Sequence, residues 1–295
     1  QLDALFASSI IGIFLFQIFL TGQWRIVRSI LSSENAVNIQ EMRETITNVP
    51  DDAKILTTAR FYPYLSHRQY IYPLQHLWFG KEHLMKTDYT PPANIEWMLI
   101  EQDEILNFIS VLSKGSIDGI PQRLANVIRD NHLKLTHAGE SIFVYQRDAE
   151  NVAPEAPLRT DDHALQNTLR IPVSSNIELQ GWEKIGDTLR LQFQRTGEKQ
   201  EEGKELHYEL TWYNEKGTKL KKRRFLIGAG LSPTTTWPVH ESKIVTQHIE
   251  TPRDASRLEL TVGNPISYSN ASIIEIFQTT MDPQTSVTVT LTTDL

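Results

Sequence analysis

YELTWYNEKGTKL, Tyr208 to Leu220, opens as an alternating strand and passes into a turn. Strand side chains point to opposite faces in turn, so Tyr208, Leu210 and Trp212 share one face and Glu209, Thr211 and Tyr213 the other. The first set is expected to be core. Asn214 to Gly217 supply the turn. The same texture recurs on both sides: Thr188–Gln194, Arg224–Ile227, Lys243–Ile249, Arg257–Val262, Ser272–Gln278 and Ser286–Thr292, with Gly186-Asp187 among the punctuating turns. Short strands at this spacing predict an antiparallel β-sandwich, jelly-roll-like, over residues 173–295. The basic run Lys219, Lys221, Lys222, Arg223 and Arg224 falls between strands and is read as an edge strand or hairpin arm.

Upstream, Asn151 to Pro172 carries Pro154, Pro157 and Pro172 among polar residues and is expected to be a linker. Residues 25–150 alternate strand and helix signals. Ile26 to Ile46 has helical spacing, and Asn48 to Asp52 form a stop. Ala53–Ala59, Tyr70–Tyr72 and Trp97–Ile100 read as strands, Pro121–Asp130 as a helix, and Leu133–Leu135 with Ser141–Tyr145 as a hairpin around Ala138 and Gly139. That order predicts a small α/β layer domain.

The chain begins differently. ALFASSIIGIFLFQIFL, Ala4 to Leu20, is uncharged and apolar, and Trp24, Arg25 and Arg28 follow. About 20 helical residues cross a hydrocarbon core of about 30 Å, so residues 1–24 are expected to form a transmembrane helix. A cleaved signal peptide would want a basic start, which Gln1, Leu2 and Asp3 do not give. The sequence without an initiator Met leads to the expectation that this is the last span of a longer protein. The expected whole is therefore α+β: one membrane helix, a small α/β domain, a linker and a β-sandwich.

A formal net charge of −7 over 295 residues argues against a general nucleic-acid binder. With no cysteine, disulfides, thiolate metal sites and cysteine nucleophiles are excluded. Nine histidines are scattered; His76 and His83 lie seven apart, too far for helical or hairpin ligation, so no metal is expected. No GxGxxG, GxxxxGK[ST], HExxH or GxSxG pattern frames a cofactor or a nucleophile, and no cofactor is expected.

NVPDDAKILTTARFYPYLSHRQYIYPL, Asn48 to Leu74, resembles a signature of predicted bacterial membrane proteins, the family labelled domain of unknown function 2079, which look like type C glycosyltransferases. Pro50, Asp52, Ala53, Tyr64, Leu65, Ser66, Arg68, Tyr70 and Pro73 occupy the matching places. IEWMLIEQDE, Ile95 to Glu104, looks like the strand that follows, with Trp97 and Glu101 as departures. A second stretch, from Ile177 through PTTTWPVHESKIVTQHIETP (Pro233 to Pro252), resembles the β-sandwich appended to such enzymes; Trp237, Glu241, Ile249, Pro252 and Gly263 fit, and His240 departs.

The resemblance implies a multi-span amino-terminal part that carries the catalytic acid, so no residue here is expected to be catalytic. It implies instead an extracytoplasmic accessory part at the cell membrane, near membrane lipid and a lipid-phosphate-linked sugar or cell-surface glycan. Arg60, His67, Arg68 and Tyr70, following a strand, are the candidate ligand residues, with Arg68 suited to fork onto a phosphate. The competing reading has Ser66, His67 and Arg68 capping a helix and pairing locally with Asp51 or Asp52. In the sandwich, Trp237 in its proline-flanked loop is the candidate for stacking on a sugar ring. The alternative function is a membrane-anchored module that binds glycan or protein.

Overall fold

The computed structural model describes residues 33–82, 87–105, 120–151, 153, 158–160, 164–197, 206–227, 234, 237–263 and 286–291. The chain divides into two compact units, Gln1–Asn48 and Val49–Leu295. In the first, helix α1 (Ser33–Thr47) realises the later part of the expected 26–46 helix. It ends where Thr47 Oγ1 and Asn48 Nδ2 both donate to the Glu44 carbonyl, taking up an acceptor the helix leaves open.

The second unit holds three sheets. The first is mixed and five-stranded. Its strands are β1 (Ile55–Thr57), β2 (Ile71–Pro73), β3 (Trp97–Glu101), β4 (Leu133–Ala138) and β5 (Ile142–Arg147), in the order β2-β1-β3-β5-β4. β2, β1 and β3 run parallel; β5 and β4 close the sheet antiparallel. A 3-10 turn (Ala59–Phe61) and α2 (Tyr62–Leu65) carry the chain from β1 back to β2, and α3 (Leu74–Phe79) and α4 (Ile120–Asp130) follow. Leu56, Met98, Ile100, Phe143 and Tyr145 pack on one face with Leu77, Trp78, Leu124 and Val127 from the helices. Ile55, Leu99, Ile142 and Val144 are buried on the other face. Burial on both faces explains why these strands read as continuous apolar runs.

The other two sheets stack as a sandwich. One joins β6 (Leu158–Thr160), β7 (Asn167–Pro172), β8 (Ile177–Ile185), β9 (Thr188–Arg195) and β12 (Ser242–His248) in the order β6-β12-β9-β8-β7. The other orders β11 (Lys219–Leu226), β10 (His207–Tyr213), β13 (Arg257–Gly263) and β14 (Val287–Leu291) as β11-β10-β13-β14. Every pairing in both is antiparallel. Leu179, Trp182, Leu191, Phe193 and Val245 of the first sheet meet Tyr208, Leu210, Trp212, Phe225 and Leu260 of the second in one core. Tyr208 and Phe225 stack there at 5.1 Å between ring centroids. The β10–β11 turn needs Gly217 at φ +75°, and Asn214 Oδ1 accepts the Thr218 N–H at 2.9 Å to hold it.

These observations correct the expected architecture. The described chain is mostly β, with fourteen strands in three sheets, rather than an α+β chain hung from a membrane helix. No described helix is long and apolar enough to cross a membrane. The segment expected to span, 1–24, and the expected strand Ser272–Gln278 lie outside the described residues. Within the expected linker, β6 and β7 pair to β12 and β8 and form both edges of a sandwich sheet.

Candidate functional site

In the first sheet, parallel strands β1 and β3 end side by side, and the turns that leave them bind each other. Thr58 Oγ1 accepts the Glu101 N–H at 3.1 Å, and Thr57 Oγ1 donates to the Leu99 carbonyl at 3.0 Å. Glu104 reaches back across the gap, accepting the N–H groups of Ala59 and Arg60 at 2.8 and 3.1 Å. Glu101 accepts the Glu104 N–H at 2.8 Å through one carboxylate oxygen and the Arg60 guanidinium through the other. The Glu101 side chain is 2% exposed. Burial, backed by the charge of Asp103, pushes its carboxyl up to about 7 against the pull of Arg60. Both oxygens are committed to protein donors, so this cluster works as a knot between two strand ends.

The proposed ligand residues do not form one cluster. Arg60 lies at the carboxyl end of β1. Because β2 runs parallel to β1, the chain has returned to the amino end by the time it reaches Tyr70, whose carbonyl accepts the Ile55 N–H at 3.0 Å. There Arg68 donates to the carbonyls of Val49, at 2.7 Å, and Pro50, and lies 3.3 Å from Asp51. Its side chain is 3% exposed, and His67 Nε2 sits 3.5 Å from the same carboxylate. The local-pairing reading thus describes what Arg68 and His67 do here, while Tyr70 stands exposed beside them. Trp237 belongs to the sandwich core at 1% exposure, so its ring is not presented to a ligand; Lys243 Nζ covers it at 5.9 Å.

An open cavity of about 520 Å³ lies instead on the outer face of the sheet β6-β12-β9-β8-β7. Its walls include Thr168 and Arg170 of β7, Gln180 of β8, Gln192 of β9 and Ser242 of β12. Alternation puts these polar positions outward while Leu179, Leu191 and Phe193 fill the core. At a bulge, Gly181 pairs Gln192, and a Cβ on it would stand 2.9 Å from the Asn167 carbonyl; glycine lets the edge strand β7 pair closely with β8 there. Gln180 is oriented from both sides: its Oε1 accepts Ser242 Oγ at 3.1 Å and its Nε2 donates to Gln194 Oε1 at 2.6 Å. One amide hydrogen and one lone pair remain for a ligand. Sequence reading passed over these residues because outward glutamines on strands look like ordinary solvated positions. The signal was their density, with Gln180, Gln192 and Gln194 on two adjacent strands.

A second cavity, of about 540 Å³, lies between the loop Tyr89–Asn94 and α4. Arg123 on its wall is committed to the carbonyls of Leu77 and Trp78 at 2.9 and 2.6 Å. Among the described residues no group of three or more His, Asp or Glu is placed to hold a metal ion.

The chain matches no known family and no curated protein. Among solved structures it is similar to an endonuclease/exonuclease/phosphatase from Beutenbergia cavernae, at 11% identity and a TM-score of 0.20, over 68% of this chain and 56% of that one. The chain thus spans little more than half of that structure's length.

Proposed function

We propose that the chain is a non-catalytic binding module for a sugar-containing ligand, acting outside the cytoplasm as the accessory part of glycosyl transfer from a lipid-linked donor. The observation that carries this is the amide- and hydroxyl-lined cavity around Gln180, Gln192 and Ser242. Carboxamides offer donor and acceptor side by side, which matches the paired donor–acceptor character of vicinal hydroxyls. The volume falls within the range of pockets that enclose small ligands. The sequence signatures at Asn48–Leu74 and Pro233–Pro252 supply the glycosyl-transfer context.

The test is calorimetric titration of the chain with a panel of neutral and acidic oligosaccharides. Gln180→Ala is expected to weaken the best ligand about tenfold, the scale of one well-made hydrogen bond of about 1.4 kcal/mol, with the thermal midpoint unmoved. A chain that binds no saccharide in the panel overturns the reading.

A further inference from the structure

From the same cavity we infer the chemical class of its ligand: an anionic saccharide, whose carboxylate or phosphate is held by Arg170 while Gln180 and Gln192 take its hydroxyls. The inference rests on the sugar-binding reading and narrows it.

The argument starts from what the sandwich does with its cations. On β11, Lys221 lies 3.0 Å from Glu140, and Lys222 and Arg224 lie 2.7 and 3.1 Å from Glu209. On the sheet that carries the cavity, Arg190 pairs with Glu183 at 2.6 Å and Lys243 with Glu241 at 2.7 Å. Arg195, at 6% exposure, donates to the Trp237 carbonyl. Arg170 differs. It is exposed, it lines the cavity, and among the described residues it has neither an ion-pair nor a hydrogen-bond partner. Guanidinium presents a planar fork of donors that matches carboxylate and phosphate geometry, so an unmatched arginine beside oriented amides is a site for an anion that also bears hydroxyls.

The neighbours suit that division of labour. Thr168, two residues before Arg170, faces the same side of β7 and adds a hydroxyl. Ser242 holds the Gln180 amide in one orientation, so Gln180 meets a ligand with its free hydrogen and lone pair already set. The field of the whole chain does not attract anions, since its formal charge is −7. Affinity for an acidic ligand therefore has to be made locally, at the one guanidinium that the described residues place on the cavity wall, and is expected to fall with added salt. The second cavity offers no such group, because Arg123 is spent on two main-chain carbonyls.

The test uses the full chain and four probes in calorimetric titrations at low salt: tri-galacturonic acid, its carboxyl-reduced neutral counterpart, glucose 1-phosphate and inorganic phosphate. The wild type is expected to bind tri-galacturonic acid or glucose 1-phosphate about tenfold more tightly than the neutral trisaccharide. Arg170→Gln is expected to abolish the preference for acidic over neutral trisaccharide; Arg170→Lys restores part of it, keeping charge without the fork. Which acidic probe is preferred assigns carboxylate or phosphate. Equal binding of acidic and neutral trisaccharides, or a preference that survives Arg170→Gln, overturns the anionic assignment and leaves the sugar reading standing. Inorganic phosphate binding as tightly as glucose 1-phosphate also overturns it, by reducing the site to a bare anion hole. Binding of none of the saccharides overturns both. Arg170 is exposed, so its variants are expected to melt with the wild type.

Discussion

His207 opens β10 with both ring nitrogens buried and, among the described residues, unpartnered. Burial lowers its pKa to about 3, with the charge of Arg224 acting in the same direction. The fold therefore holds the neutral ring, while the unfolded chain takes up a proton near 6.5. Stability is full above pH 6.5 and is lost as pH falls from there toward 3. Glu101 works in the opposite sense. Its raised pKa makes its contribution full below 4.5 and lost as pH rises through about 7. In urea titrations, His207→Leu is expected to recover about 2 kcal/mol of the stability that the wild type loses between pH 7 and pH 4.5. Glu101→Gln should instead steepen the acid loss between pH 7 and 4.5, because it removes the contribution of opposite sign. An acid loss that His207→Leu leaves intact and Glu101→Gln does not steepen would mean that neither residue shapes it.

At the scale of elements, Arg68 pins the turn before β1 to the entry of β2 through two carbonyls and Asp51. Arg68→Ala should destabilise the chain by about 2 kcal/mol, because it removes charge-assisted hydrogen bonds from a buried side chain. Denaturant midpoints measure that, and unchanged saccharide affinity in the same variant separates the structural role from a ligand role. The strands themselves were legible. The alternation from Tyr208 matches β10, with Tyr208, Leu210 and Trp212 inward at 0% exposure. β6 and β7 were not, since three residues carry no period and the prolines nearby argue for a loop. Trp237 misled for a related reason. Its flanking Pro238 signals a loop, and only the tertiary arrangement around Arg195 turns the ring into the core. The cavity was illegible because β12, far along the chain from the consecutive strands β7, β8 and β9, completes its wall. The parting of Arg60 from Arg68 follows from a parallel β1–β2 pairing that periodicity does not reveal.

Across the second unit as a whole, the β4–β5 hairpin tip enters the sandwich. Glu140 lies between Lys221 at 3.0 Å and Arg223 at 3.9 Å, Ser141 accepts from Arg223, and Gln247 Nε2 donates to the Glu140 carbonyl at 3.1 Å. Leu226 of β11 completes the other half of the join by packing into the core of the first sheet. Glu140→Ala removes the carboxylate shared by two nearly buried cations and leaves them the pairs Lys221–Glu250 and Arg223–Asp103, which should destabilise by about 2 kcal/mol. In differential scanning calorimetry the wild-type unit is expected to melt in one transition and the variant in two; a single unchanged transition would mean that the tip does not couple the sheets. The same join sets a rule for anyone dissecting this chain. A cut at the proline-bearing stretch near residue 155 looks harmless in the sequence, yet it would unplug Glu140 and bare Lys221 and Arg223 as a raw cationic socket. Isolated sandwich preparations would then pick up acidic polymers at that wound, and such capture would masquerade as the recognition proposed for the opposite sheet.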